Sequence, residues 1–429
     1  MGAQQINPDE KRNLSVLFGQ RALQTIGWSM ANPAVVLSYL AISMEMPILL
    51  AGLLVSVRRS GNVGVAVFGS GAAARLVNKK GVIAGTDFIL ALCSLVAIAS
   101  VLTTSTLVVT AVFFCVVLMI GMVEEYQNLI NWDFLADVLQ SQNRQRLIYA
   151  AMGIGGTCTI AFTWGVHIAT QEYPAFARHS AVVAIAVLSF SIAALSVLQV
   201  RDLRHATNDN QTRKKRRNYL QSARLAFSDF VSKLRELLTM PWFRRFLLIR
   251  LALQTVELSI PFFAILAAIA HGASQKGLTA LIISSAAALM LAGPIWRSVG
   301  RLSNGMVMAC GSLLAAVSGF ALVLNHYVPT VDNTIAHSAA LFAVTLGVQG
   351  VTNARALYYL DAAPKAHRVA GLAISKCVVK VWSVLLAAFM AALAHTQHVA
   401  VAIALVSFLN LCTAMIVLSL GGREEPVAA

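Results

Sequence analysis

Charged side chains are scarce in this sequence. They make up 12% of its 429 residues, where a soluble domain carries about 25%. Apolar residues fill the difference, at 58%. The shortage runs the whole length of the chain, which excludes an ordinary soluble domain and fits a polytopic membrane protein. Paired cysteines are missing too. Cys93, Cys115, Cys158, Cys310, Cys377 and Cys412 all fall inside apolar runs. None forms a CxxC pair, so neither a disulfide framework nor a zinc site is expected. Met1 to Lys11 lacks a basic segment leading into an apolar core, so no cleavable signal peptide is expected. No Ser/His/Asp constellation, metal-ligating cluster, phosphate loop or ATP-binding motif is evident. The expectation is therefore no enzyme, no cofactor and no metal.

What is present is a series of long apolar runs. A spanning helix needs roughly 20 such residues. Twelve candidates follow one another: 14–40, 46–70, 82–103, 107–136, 146–169, 180–200, 243–270, 276–298, 305–326, 335–360, 369–393 and 397–420. Short polar breaks separate all but spans 6 and 7, where about forty residues intervene. With the N-terminus inside, the inner segments hold 22 Lys and Arg and the outer ones only Arg178 and Lys276. That positive-inside bias puts both termini and the long loop in the cytoplasm, in a plasma (bacterial inner) membrane. The formal charge of +15 is then mostly a topology signal, and no nucleic-acid partner is expected.

The chain also repeats. Asp137 and Asp361 close spans 4 and 10, and Arg144 and Arg368 open spans 5 and 11. Both pairs are 224 apart (361 − 137; 368 − 144), as are Gly69 and Gly293, Gly81 and Gly305, and Arg21 and Arg245. A constant offset at matching places in the span order argues for internal duplication. Six spans per half keep the two copies in the same orientation. The halves read as 1–200 and 243–429, joined by a basic linker at 201–242.

Two loops carry a resemblance. GSGAAARLVNKKG (69–81) and GPIWRSVGRLSNG (293–305) are similar to the Gly-x-x-x-Asp-Arg-x-Gly-Arg-Lys loop of the major facilitator superfamily of secondary transporters, with Ala74 where that family usually has its aspartate. FLADVLQSQNRQR (134–146) and YLDAAPKAHR (359–368) resemble its acid-then-arginine crossings. With the six-plus-six layout, the resemblance covers nearly the whole chain. It implies an all-α membrane protein of twelve transmembrane helices in two six-helix bundles related by pseudo-two-fold symmetry. It also implies alternating access, with a central cavity lined by spans 1, 4, 7 and 10.

Charges within the spans are the sharper signal, because a charge at the bilayer centre costs at least a few kcal/mol, about 2.5–3.5 on the most lenient scale. The first half has Arg58 and Arg59 in span 2 and Glu124 and Glu125 in span 4, which balance. Arg58 and Glu124 differ in depth by about 7 Å at 1.5 Å per residue, within reach of long side chains. The second half has Arg250 and Glu257 in span 7, Arg355 in span 10, and Lys376 and Lys380 in span 11. That surplus suggests a water-filled cavity holding an anion. A glutamate beside an arginine is the candidate proton-coupling group, since breaking the pair favours proton uptake. Polar residues at similar depth join the cavity set: Gln24, Trp28 and Asn32 in span 1, Tyr126, Asn128 and Trp132 in span 4, Gln254 in span 7, Gln349 and Asn353 in span 10. Arg75 and Arg144 around Asp137, and Arg297, Arg301 and Arg368 around Asp361, form a candidate cytoplasmic gate, since an acid at a helix C-terminus needs compensation. Pro33, Pro261 and Pro294 allow kinks in spans 1, 7 and 8.

In the linker, TRKKRRN (212–218) should lie on anionic headgroups. Residues 219–238 carry apolar side chains at helical spacing, as in a helix lying along the membrane surface. The expectation is a monomeric secondary transporter for a small organic anion or zwitterion. A proton-coupled drug or metabolite exporter is the near alternative. A membrane sensor or scaffold acting through the linker is the alternative of another class.

Overall fold

The computed structural model describes residues 8–68, 76, 78–102, 105–139, 141–173, 175–201, 232–271, 277–329, 331–364 and 367–421. Spans 2 to 6 are Ile48–Phe68, Lys79–Val101, Thr106–Val138, Ser141–Ala169 and Ala175–Val197. Spans 8 to 12 are Gly277–Val299, Asn304–Tyr327, Asn333–Ala362, Arg368–Gln397 and Val399–Gly421. Spans 1 and 7 are interrupted. Eleven of these spans are long and apolar enough to cross a membrane. Span 5, at 29 residues, reaches about 43 Å at 1.5 Å per residue. The protein is a multi-pass membrane protein.

The duplication reappears in the helix ends. Val138 and Ala362, Ala175 and Val399, and Val197 and Gly421 are each 224 residues apart.

The interruptions differ in origin. Span 1 runs Pro8–Met30, then a π turn Pro33–Leu37, then Ser38–Ser43. Pro33 disfavours helical geometry in the residue before it, and Asn32 is extended, at φ −60° and ψ 116°. The Asn32 side chain then caps the new turn by accepting from Ala34 N at 2.9 Å. Span 7 consists of Pro241–Ala252 and Gln254–His271. Its break is at Leu253, well before Pro261. Pro261 and Pro294 both lie inside uninterrupted helices, so of the three candidate prolines only Pro33 marks a break.

The two halves meet through spans 2 and 11, 5 and 8, and 1 and 7. At the end away from the N-terminus Gly52 lies against Ala391, and Gly277 against the Tyr39 hydroxyl. There the buried core is continuous across both halves, from Leu54 and Phe113 to Phe262 and Met390. Toward the end that carries the N-terminus it divides. One cluster, with Leu17, Ile83, Phe134, Leu147 and Val197, belongs to the first half. Two others, around Phe243 with Ile374 and around Phe246 with Tyr359, belong to the second. The halves thus part toward the N-terminal face, leaving a cleft between them.

Part of the linker belongs to that second-half packing. Residues 232–239 are helical. Leu237 is buried and Leu234 half-buried against Phe243, Leu247 and Ile374. This stretch docks on the bundle, while 202–231, and with it most of the expected surface helix, falls outside the described residues.

Spans 2 and 4 approach closely enough to exclude a side chain. A Cβ on Gly121 would sit 2.1 Å from the Arg58 carbonyl oxygen. Gly121 shares a helix face with Glu124, so this contact sets the distance across which Arg58 meets Glu124. Gly121→Ala should force the helices apart and cost about 1–3 kcal/mol. A wild-type apparent Tm for that variant in detergent would refute it.

Candidate functional site

The charged residues gather where the halves diverge. Arg58 grips Glu124 with two nitrogens, Nε at 3.0 Å and a terminal nitrogen at 2.9 Å from the same carboxylate oxygen. Its guanidinium also lies over the Trp28 ring, 5.8 Å from the centroid, a cation–π contact. Trp28 in turn packs edge-on against Phe190. Span 2 is therefore tied to spans 1 and 4 of its own half.

Arg59 points the other way, as it must, since consecutive helical residues are about 100° apart. It donates across the cleft to Glu257 of span 7 at 2.7 Å. Arg355 of span 10 approaches the other oxygen of Glu257 at 3.4 Å. The adjacent glutamates divide in the same way: Glu124 stays within its half, while Glu125 forms a close ion pair with Lys380 of span 11. Among the described residues two ion pairs therefore join the halves, and each uses one member of an adjacent like-charged pair.

The side chains keep 13–26% of their surface exposed, except Glu125 at 6%. They border the cleft without being freely solvated. Partial hydration matters here, because a fully dry ion pair barely recovers its desolvation cost.

Arg250 is buried and held. It donates to the Ser375 hydroxyl at 2.6 Å and stacks over Phe246 at 5.7 Å, which ties span 7 to span 11. Lys376 is half-buried and, among the described residues, makes no ion pair. It lies one turn from Lys380 on the same face. Gln254 is buried, Gln349 and Asn353 are half-buried, and Asn128 is exposed. Tyr126 packs against the first-half core cluster at the N-terminal face. Asn32 serves as the helix cap described above.

Sequence reasoning missed one constellation. Gln24 does not join the cleft group: it donates to Asp87 of span 3, together with Gln20 and Gln127. Asp87 is a further embedded charge, in span 3, and Arg21 of span 1 lies inside an apolar run as well. The signal was available, since an aspartate inside GVIAGTDFILAL is as anomalous as Arg58.

Of the gate residues, Asp361 is exposed and accepts from Asn304 Nδ2 at 3.2 Å. Arg297 and Arg301 are exposed, and among the described residues neither pairs with Asp361. Arg75 and the side chains of Trp132, Asp137, Arg144 and Arg368 lie outside the described residues.

No family model and no curated protein matches the chain. Solved structures do. A mutant of the nucleoside transporter NupG superposes with a TM-score of 0.66 at 15% identity, covering 96% of this chain and 99% of that one. A POT family transporter in complex with a thioalcohol-conjugated peptide gives 0.69 at 12%, covering 96% of each. The xylose transporter XylE from E. coli, in an inward-open conformation, gives 0.68 at 12%, covering 94% and 95%. All three neighbours are transporters, and none is an enzyme. At these identities what is shared is the fold.

Proposed function

We propose that this protein is a secondary transporter that carries a small organic anion or zwitterion by alternating access. The neighbours handle nucleosides, peptides and xylose, so the fold supports transport and leaves the substrate to the site. The observation that carries the reading is the imbalance at the cleft. Three glutamates hold Arg58, Arg59, Arg355 and Lys380, and Lys376 is left beside them without an acid. A carboxylate or phosphate entering the cleft supplies the missing charge. Each glutamate already holds a cation, which weighs against a site built for cationic drugs. The positive-inside bias puts the N-terminal face in the cytoplasm, so the cleft opens inward. The basic linker segment has the charge to attract anionic lipid, and the chain works as a monomer.

A thermal-shift screen on purified protein tests the reading. A ligand at 100 times its Kd adds about 2.7 kcal/mol. Carboxylates or amino acids should raise the apparent Tm, and Lys376→Met should remove the response. Stabilisation by amines alone would sink the anion site.

A further inference from the structure

Asp87 is fully enclosed, with 0% of its surface exposed. Its Oδ1 accepts from Gln24 Nε2 and Gln127 Nε2, both at 2.6 Å, and its Oδ2 accepts from Gln20 Nε2 at 3.0 Å. All three glutamines are themselves at most 5% exposed. The donors come from spans 1 and 4, whereas Asp87 is on span 3. The carboxyl is thus caged by neutral amides from two helices. Arg21 stands nearby but, among the described residues, makes no ion pair with it; it donates instead to Gln24 Oε1 at 3.4 Å. Its buried Nε has no partner.

Among the described residues the remaining surroundings carry no other counter-charge. Span 4 offers Glu124, Glu125 and Tyr126 near Gln127, and both acids are engaged with Arg58 and Lys380. Span 6, which packs along span 3, has no titratable residue from Ala181 to Val197. On span 1, between Leu14 and Tyr39, Arg21 is the single titratable side chain.

A buried carboxylate with no cation in contact is costly, and three amides satisfy its oxygens without neutralising it. The amide is also the one side-chain group that serves both charge states. Each carries an NH2 on one side and a carbonyl oxygen on the other. With the acid ionised, three NH2 groups point inward. With the acid neutral, one amide turned by half a rotation presents its oxygen to the new O–H, and the other two keep donating. A lysine or arginine in that place would fit only the ionised form.

We propose that Asp87, Gln20, Gln24 and Gln127 form a proton-loading site whose occupancy biases the carrier's conformation. The proposal rests on the transporter reading above and relocates the coupling group from the ion-paired glutamates to a carboxyl that can gain a proton without first breaking a bridge. The proton comes from solvent, an Asp87 oxygen binds it, and no other co-reactant is needed. Gln24 lies one turn from Trp28, whose ring carries Arg58, and Gln127 lies one turn from Glu124. Turning either amide therefore acts on the two helices that hold Arg58.

The test needs no substrate. In full-length protein with its six native cysteines replaced, spin labels go at Glu172 and Val331, exposed positions at the outer ends of the two halves. Distances are then recorded across pH in lipid nanodiscs. Two populations should exchange with pH in the otherwise unaltered chain. Asp87→Asn, which mimics the protonated acid, should hold the low-pH distribution at every pH. If that variant is not monodisperse, Gln127→Leu serves in its place: losing a donor to the ionised form should move the transition to higher pH. Two populations that ignore pH, or that titrate unchanged in the variants, overturn the proton site and leave the transporter reading standing. A single distance under all conditions overturns both. Exchange that follows sodium concentration instead of pH overturns the proton and identifies a metal cation.

Discussion

Glu257→Gln should lower the apparent Tm more than any other single change at the site. The carboxylate is shared by Arg59 at 2.7 Å and Arg355 at 3.4 Å, one from each half. Glutamine keeps the shape and one acceptor oxygen but leaves two guanidinium groups converging on a neutral side chain. Breaking a buried pair from one side costs about 3–5 kcal/mol. Glu257 keeps 17% of its side-chain surface, so the lower end of that range applies. The double variant Glu257→Gln with Arg355→Gln should recover part of the loss, because the like-charge repulsion is gone. A double-mutant cycle on these positions isolates the coupling. An unchanged Tm for Glu257→Gln would mean that solvent screens the triad and that it does not hold the halves together.

The second large effect concerns conformation. Glu125→Gln removes the other described bridge between the halves and leaves Lys380 and Lys376 on one face of span 11 without an ion-paired acid. That bridge exists in the state described here, with the ends away from the N-terminus together, so its loss should favour separation of those ends. A change of about 3 kcal/mol alters a two-state ratio by roughly two orders of magnitude, since about 1.4 kcal/mol is tenfold. Labels at Glu172 and Val331 should report a longer distance in a larger share of molecules. Added acetate should reverse part of the shift by pairing with the freed lysines. A distance distribution identical to that of the unaltered chain would remove Glu125 from any gating role.

Much of the fold was legible because bilayer thickness sets span length. Helix ends moved by a few residues where polar caps extend them. Asn78 accepts from Gly81 N, and Ser303 from Met306 N, which starts spans 3 and 9 just before their apolar runs. Depth alone matched Arg58 to Glu124. It could not match Arg59 to Glu257 or Glu125 to Lys380, because those partners depend on how two bundles dock, and no local pattern encodes docking. The balanced charge of the first half therefore concealed two cross-cleft pairs. Gln24 was assigned to the wrong group for a related reason: depth says how far along a helix a side chain lies, not which neighbour it faces. The breaks in spans 1 and 7 show the same limit. Pro33 marks its break through steric rules that act on Asn32, whereas Leu253 carries no comparable signal.

The adjacent arginines have one more consequence. Arg58 belongs to a group fixed inside its bundle, and Arg59, one peptide unit away, is attached to the other bundle. Glu124 and Glu125 divide likewise on span 4. Any rocking of one half against the other must break contacts at the second member of each pair and preserve those at the first. The boundary between the stationary and the moving body thus passes between two consecutive residues, once on each helix.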